Sequence, residues 1–288
     1  MNIFKVILLA IVQGLAELLP VSSSAHVVVA EKLMGLDPSS PSMTLLLVML
    51  HTGTMFAVIV YFWRSWKASY FASREQFQRF LVPLVWATVL TGVVGEILKK
   101  VIEKTLFHGA PKAEIETLFS RLDLIAPALA GAGVLILIAG ALEKRAAVEE
   151  PRQDEVIGLS QAVWMGIVQG LALPFRGFSR SGSTISVGML VGAAKSSAER
   201  FSFALAVVLT PAVITLEALR LVKAASTAHI DLQSSITSSL LGMVFSFLAG
   251  LLALRWLSRW LEAGRWYLFG IYCLIASGVV WYLHARGL

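Results

Sequence analysis

Cysteine is almost missing from this 288-residue chain: Cys273 stands alone. No intrachain disulfide is therefore available, and clusters of soft thiolate ligands for zinc or iron–sulfur centres are excluded. Charge is also scarce, at 15% of residues, against about 25% in a soluble globular domain. The apolar segments lack the period-2 alternation of half-buried strands. What is present instead is apolar length: 57% of residues are hydrophobic and the mean hydropathy is +0.77. These features describe an all-α, polytopic integral membrane protein. The net charge of +6 resides in short loops between apolar runs, as expected of cytoplasmic loops rich in Lys and Arg. No nucleic-acid partner is expected from so dispersed a basic complement.

Six runs are long enough to span a bilayer: Met43–Trp63, Leu81–Leu98, Leu124–Leu142, Phe201–Leu221, Ile236–Leu257 and Tyr267–Leu283. Several tryptophans, among them Trp63, Trp66, Trp256, Trp260, Trp266 and Trp281, fall near their ends, where indole rings favour the headgroup region. A surface loop or amphipathic helix is expected over 99–123. The charged linker 143–155 divides one domain, 1–288, into halves of about 1–142 and 156–288. Lys5, the run Val6–Val12 and Ser23–Ala25 resemble a secretory signal, but the internal repeat described next argues that this segment belongs to the mature fold.

The hexapeptide IVQGLA at 11–16 recurs unchanged at 167–172. Each copy is followed by a proline, Pro20 or Pro174, and then by a hydroxyl-rich turn. The first turn carries Glu17, Ser22, Ser23, Ser24 and His26; the second carries Ser179, Arg180, Ser181, Ser183 and Thr184. Two short apolar arms joined by a polar turn read as a re-entrant hairpin, which only a protein or wet environment can satisfy at membrane depth. With the basic loops 64–79 and 255–265 on one cytoplasmic face, the hairpins enter from opposite sides. That is an inverted-topology repeat, an architecture that brings two broken helices together near the midplane.

Glu17, His26 and Arg180 are charged or ionisable groups in apolar surroundings, where a charge costs about 2.5–3.5 kcal/mol on insertion scales and usually marks function. A structural Glu–Arg pair is the alternative. Half-helix N-termini, hydroxyls and an arginine together suit a diphosphate. Arg180 is positioned by sequence to grip phosphate oxygens and offset charge on the leaving oxygen. Ser23 is either a nucleophile activated by His26 or Glu17, or a phosphate ligand beside a water activated by those groups. Ser24, Ser183 and Thr184 are equally readable as helix caps. A carboxylate next to a polyanion calls for a bridging oxygen-seeking cation, Mg²⁺ or Ca²⁺, with Glu17 as ligand. His51 is a second candidate for the same cavity, or a histidine bonded to backbone. His108, His229 and His284 read as loop or terminal residues, and Glu217 with Arg220 as a local i,i+3 pair.

At these stretches the chain resembles the bacterial undecaprenyl-diphosphate phosphatase family of the bacitracin-resistance type. The family's first motif is roughly E-G-x-T-E-F-L-P-V-S-S-T-G-H, and residues 13–26 here read Q-G-L-A-E-L-L-P-V-S-S-S-A-H. Its second motif is P-G-x-S-R-S-G followed by Thr, and residues 176–184 read R-G-F-S-R-S-G-S-T. Segments 51–63 and 200–207 are similar too. The resemblance implies a bundle of interlocked inverted repeats in the bacterial inner membrane, with its site opening to the periplasmic side. It implies hydrolysis of undecaprenyl diphosphate to the monophosphate and inorganic phosphate, recycling the lipid carrier of cell-wall synthesis. By this resemblance Glu17, Ser23, His26 and Arg180 are the catalytic positions, Ser22, Ser179, Ser181 and Thr184 contact phosphate, and a divalent metal is used. Where the family has glutamate the chain has Gln13, which hydrogen-bonds but cannot act as a base. Where it has proline the chain has Arg176, an added anion-binding charge. The competing reading is a non-hydrolytic transporter or flippase for polyprenyl phosphate on the same repeat. The lipid and the bilayer are the expected partners, and a homodimer is the assembly to be tested.

Overall fold

The computed structural model describes residues 2–36, 41–106, 118, 120–149, 156–225 and 232–287. Among them the secondary structure is all α. The helices are α1 (Ile3–Leu18), α2 (Ser23–Leu33), α3 (Pro41–Ser69), α4 (Arg74–Leu106), α5 (Leu122–Glu149), α6 (Leu159–Ala172), α7 (Arg180–Leu190), α8 (Lys195–Ala225), α9 (Leu232–Glu262) and α10 (Trp266–Ala285). Six of these, α3, α4, α5, α8, α9 and α10, are long and apolar enough to cross a membrane. The chain is a multi-pass membrane protein, and the six spans coincide with those expected. His108, His229 and the side chains of Glu217 and Arg220 lie outside the described residues, as do most of 107–119 and the linker from 150 to 155.

The long helices extend past their apolar stretches. The α4 helix has 33 residues, about 50 Å at 1.5 Å per residue, against a hydrocarbon core of about 30 Å. Most of the basic segment 64–79 is therefore helical, belonging to the ends of α3 and α4 rather than to an open loop. Much of 255–265 likewise continues α9.

A short, short, long, long, long order of helices occurs twice, as α1–α5 and α6–α10. The α1 helix packs along α9, and α6 packs along α4; α3 meets α8, and α5 meets α10. The repeated Gln–Gly pair explains the close approach. A Cβ on Gly14 would stand 2.6 Å from the Ser246 carbonyl oxygen, and one on Gly170 would stand 2.7 Å from Val94 Cβ. Small residues at helix contacts are what permits such proximity within lipid.

The two breaks differ. The first ends α1 at Leu19, in extended backbone (φ −77°, ψ 151°), the geometry that a following proline enforces. In the second, Leu173 before Pro174 stays helical (φ −63°, ψ −50°). The chain reverses instead at Gly177, φ +111°, where a Cβ would meet the Ile125 carbonyl oxygen at 2.5 Å. Both breaks then converge on one feature: Ser22 (φ 67°) and Ser179 (φ 49°) are the only non-glycine residues with positive φ among those described. Each immediately precedes the second short helix of its half.

Candidate active site

Glu17 lies in the last turn of α1, and its carboxylate gathers groups from four elements. Ser23, the first residue of α2, donates its hydroxyl to Oε2 at 2.5 Å. Gln13, one turn back on α1, donates Nε2 to the same oxygen at 3.3 Å. Arg180, the first residue of α7, donates Nη2 to Oε1 at 2.5 Å. His51 on α3 brings Nε2 to 3.9 Å from Oε2. The Glu17 and Arg180 side chains keep only 13% and 24% of their exposure, so the pair is largely removed from water.

These groups border a cleft. Glu17 and Leu18 form one wall, with His51, Thr54, Met55 and Val58 from α3, Arg180 from α7, and Phe203, Ala206, Val207 and Thr210 from α8. Its free volume is about 20 Å³, room for about one water.

The two half-helix N-termini are not equivalent. In α7, Ser179 Oγ accepts from the Gly182 amide at 3.2 Å, so one of the orphan donors of that terminus is occupied. In α2, Ser22 makes no such bond; its hydroxyl lies 3.3 Å from that of Ser24. The first turn of α2 thus has no side-chain cap from Ser22. Ser181 donates to the Leu19 carbonyl at 3.3 Å, tying the two breaks together. Ser183 and Thr184 bond back to the Arg180 carbonyl at 3.1 and 2.8 Å, as hydroxyls inside a helix do. Thr184 also pairs with Ser202 at 2.5 Å and is fully buried, so it braces α7 against α8.

His26 is held elsewhere. Its Nδ1 is 2.8 Å from the Ser22 carbonyl oxygen, which only accepts, so Nδ1 carries a hydrogen. In the neutral ring Nε2 then accepts from the Tyr272 hydroxyl at 2.6 Å, and the two rings stack. Neither nitrogen is bonded to Ser23 or Glu17. Arg176 is also displaced from the cluster: its charge acts on the carboxyl of Glu31, a buried residue about 12 Å along α2 from Ser23 at 1.5 Å per residue.

Sequence reasoning brings Glu17, Ser23 and Arg180 together, and they meet. It misses Tyr272, Ser202 and Glu31. For Glu31 a signal existed, an acid within a short apolar arm; for the other two, only tertiary contact reveals the partnership. His51 satisfies both of its sequence readings, since Nδ1 bonds the Leu47 carbonyl at 2.8 Å while the ring lines the cleft.

Comparison with known proteins identifies the family. The family model described as "Bacitracin resistance protein BacA" matches residues 6–280. The chain is similar to a protein named "Undecaprenyl-diphosphatase 2" of Acinetobacter baylyi, 57% identical over 284 residues and 97% of each chain. It is 33% identical over 288 residues to "Undecaprenyl-diphosphatase 2" of Burkholderia orbicola and to "Undecaprenyl-diphosphatase 1" of Burkholderia pseudomallei, covering 96% of this chain and 95% of theirs. The chain belongs to the bacitracin resistance protein BacA family.

Proposed function

We propose that this protein is an enzyme that hydrolyses undecaprenyl diphosphate to undecaprenyl phosphate and inorganic phosphate, recycling the lipid carrier of cell-wall synthesis. The observation that carries the mechanism is the Ser23–Glu17–Arg180 chain, 2.5 Å at each link. A serine donating to a carboxylate is a nucleophile next to its base, and an arginine beside them is the partner a phosphate would take over. On entry the diphosphate replaces Glu17 on Arg180. The freed carboxylate then draws the Ser23 proton as Oγ attacks the terminal phosphorus, and Arg180 and the amides of α2 offset charge on the phosphoryl oxygens. Gln13 and Ser22 flank this path, and Ser179 and Ser181 hold the Arg180 turn in place. His26, clamped between Ser22 and Tyr272, supports the strained turn before Ser23. Thr184 and Arg176 are further out, bracing α8 and facing Glu31.

A divalent cation, Mg²⁺ or Ca²⁺, belongs to the proposal. Among the described residues no cluster of three or more His, Cys, Asp or Glu forms a cage. Mg²⁺ commonly takes one or two carboxylates plus substrate phosphates, so Glu17 with the diphosphate oxygens is a fitting donor set. Bound there, the cation would neutralise phosphate charge.

We further propose that the two halves are inverted repeats with α1–α2 and α6–α7 as re-entrant hairpins in a single domain. The paired contacts of α1 with α9 and of α6 with α4 support this, as do the matched strained serines. By the Lys and Arg of the α3–α4 and α9–α10 ends, the protein sits in the bacterial inner membrane with the site open to the periplasm, and a homodimer is its assembly. Release of inorganic phosphate from undecaprenyl diphosphate by the purified protein tests the function. Release that is lost in Ser23→Ala and Arg180→Ala supports it; lipid binding without release contradicts it.

A further inference from the structure

Ser22 and Ser179 share a positive φ, 67° and 49°, but they are held by different means. Ser179 secures its own turn, accepting the Gly182 amide on Oγ at 3.2 Å. Ser22 makes no side-chain cap, and backbone in so sparsely populated a region persists only where its surroundings over-determine it. Those surroundings come from α10. Tyr272 donates its hydroxyl to His26 Nε2 at 2.6 Å, and His26 Nδ1–H donates to the Ser22 carbonyl at 2.8 Å. The two rings stack with centroids 5.7 Å apart and planes 14° apart. The next residue, Cys273, donates its thiol to the Pro20 carbonyl at 3.3 Å. Consecutive residues of one helix thus hold the carbonyls on either side of Val21, one directly and one through an imidazole. The α10 helix is itself firmly seated on α5. Ser277 donates to the Ala126 carbonyl at 2.7 Å, and a Cβ on Gly133 would stand 2.9 Å from the Gly270 carbonyl oxygen. Tyr272 is half-exposed, and its hydroxyl reaches His26 rather than Ser23 or Glu17.

We infer that Tyr272 is a positioning residue of this site, acting through His26 on the turn that presents Ser23; the inference rests on the phosphatase reading with Ser23 as the attacking group. A neutral imidazole carries its hydrogen on one nitrogen or the other. The Tyr272 hydroxyl, as donor, selects the tautomer with hydrogen on Nδ1, which is the one able to hold the Ser22 carbonyl. That carbonyl belongs to the peptide joining Ser22 to Ser23. Fixing its direction fixes the entry into α2, and with it the Ser23 hydroxyl that donates to Glu17 Oε2 at 2.5 Å. Without the tyrosine hydroxyl the imidazole is free to change tautomer or rotate, and Ser22 can relax from positive φ. The Arg180 turn is untouched by this change, because Ser179 caps it and Thr184 bonds Ser202. The loss therefore falls on attack geometry rather than on phosphate binding. A misplacement of about 1 Å at a reacting group can cost about a hundredfold in rate.

The test compares full-length wild type, Tyr272→Phe, His26→Asn and the double variant in detergent, by phosphate release from undecaprenyl diphosphate. Phenylalanine keeps the stacked ring and removes only the hydroxyl. Tyr272→Phe is expected to lower kcat about tenfold or more, with KM and the thermal midpoint close to those of wild type. Tyr272→Leu supplies the same readout should the phenylalanine variant fail to fold. His26→Asn keeps a donor near Nδ1 but has nothing for Tyr272 to bond. In that background Tyr272→Phe is expected to add no further loss, since residues acting through one contact are not additive. Tyr282→Phe removes a hydroxyl from the same helix, one that accepts from Arg286 at 3.0 Å, and is expected to leave kcat unchanged. Wild-type kcat in a folded Tyr272→Phe protein overturns the inference alone. So does a loss that appears in KM, which would make Tyr272 a lipid contact, and so do additive losses in the double variant. A wild type that releases no phosphate overturns the function reading and this inference with it.

Discussion

Arg180 donates to Glu17 Oε1 at 2.5 Å across 163 residues of sequence, joining the end of α1 to the start of α7. The contact unites the charged residues of the two broken helices, and it is closed against a cleft with room for about one water. It ties the two turns together, and in the proposed mechanism Arg180 is the group that the phosphate takes over from Glu17.

Breaking that pair one side at a time leaves an uncompensated charge in a largely buried place. Arg180→Ala should cost on the order of 3 kcal/mol of stability. Combining it with Glu17→Gln should cost less than the sum of the single changes, because the second change removes the stranded carboxylate. Thermal or denaturant midpoints in detergent for the two singles and the double check this. Additive losses would mean that the residues do not interact.

Ser23 is the shortest-bonded hydroxyl at the carboxylate. Ser23→Ala should lower phosphate release about a hundredfold or more, the scale on which a nucleophile and its base act, while leaving the thermal midpoint near that of wild type. Thr184→Ala is the contrasting case. It breaks the buried bond to Ser202 and should lower stability by about 1–3 kcal/mol through the stranded partner, with a smaller effect on turnover of the folded fraction.

Helix proximity makes a separate prediction. Gly14→Leu drives a side chain into Ser246 and Ala249, and overpacking of this kind costs about 1–3 kcal/mol. Gly170→Leu should behave alike against Thr91 and Val94. Gly92→Ala, with nothing within 4 Å of the added carbon, should be tolerated. Monodispersity and thermal midpoints in detergent distinguish the three.

The cation proposal predicts that chelator suppresses phosphate release and that Mg²⁺ or Ca²⁺ restores it. Undiminished release in chelator would remove the cation from the account and leave Arg180 and the α2 amides to neutralise the phosphates.

The spans were legible because a bilayer imposes length and apolarity on a helix, and local pattern records both. The first break was legible for a similarly local reason: Pro20 dictates the backbone of Leu19. The second was only partly so, since Pro174 leaves Leu173 helical and the reversal falls at Gly177, where crowding by Ile125 demands glycine. The Glu17–Arg180 meeting could be anticipated from the cost of isolated charges in apolar surroundings. The disposition of His26 could not. Sequence offers it as an activator of Ser23, yet its second nitrogen is engaged by Tyr272, 246 residues away. Arg176 reads as an anion ligand for want of a visible partner, and Glu31 becomes its neighbour only once α2 and the second turn are folded together.

The most direct measurement is inorganic phosphate release from undecaprenyl diphosphate by purified wild type and by Glu17→Gln, which keeps the shape of the side chain and removes its charge. The account predicts steady release by wild type and a loss of about a hundredfold or more in the variant, with the lipid still bound. Equal release by a folded Glu17→Gln protein would contradict the central role given to this carboxylate.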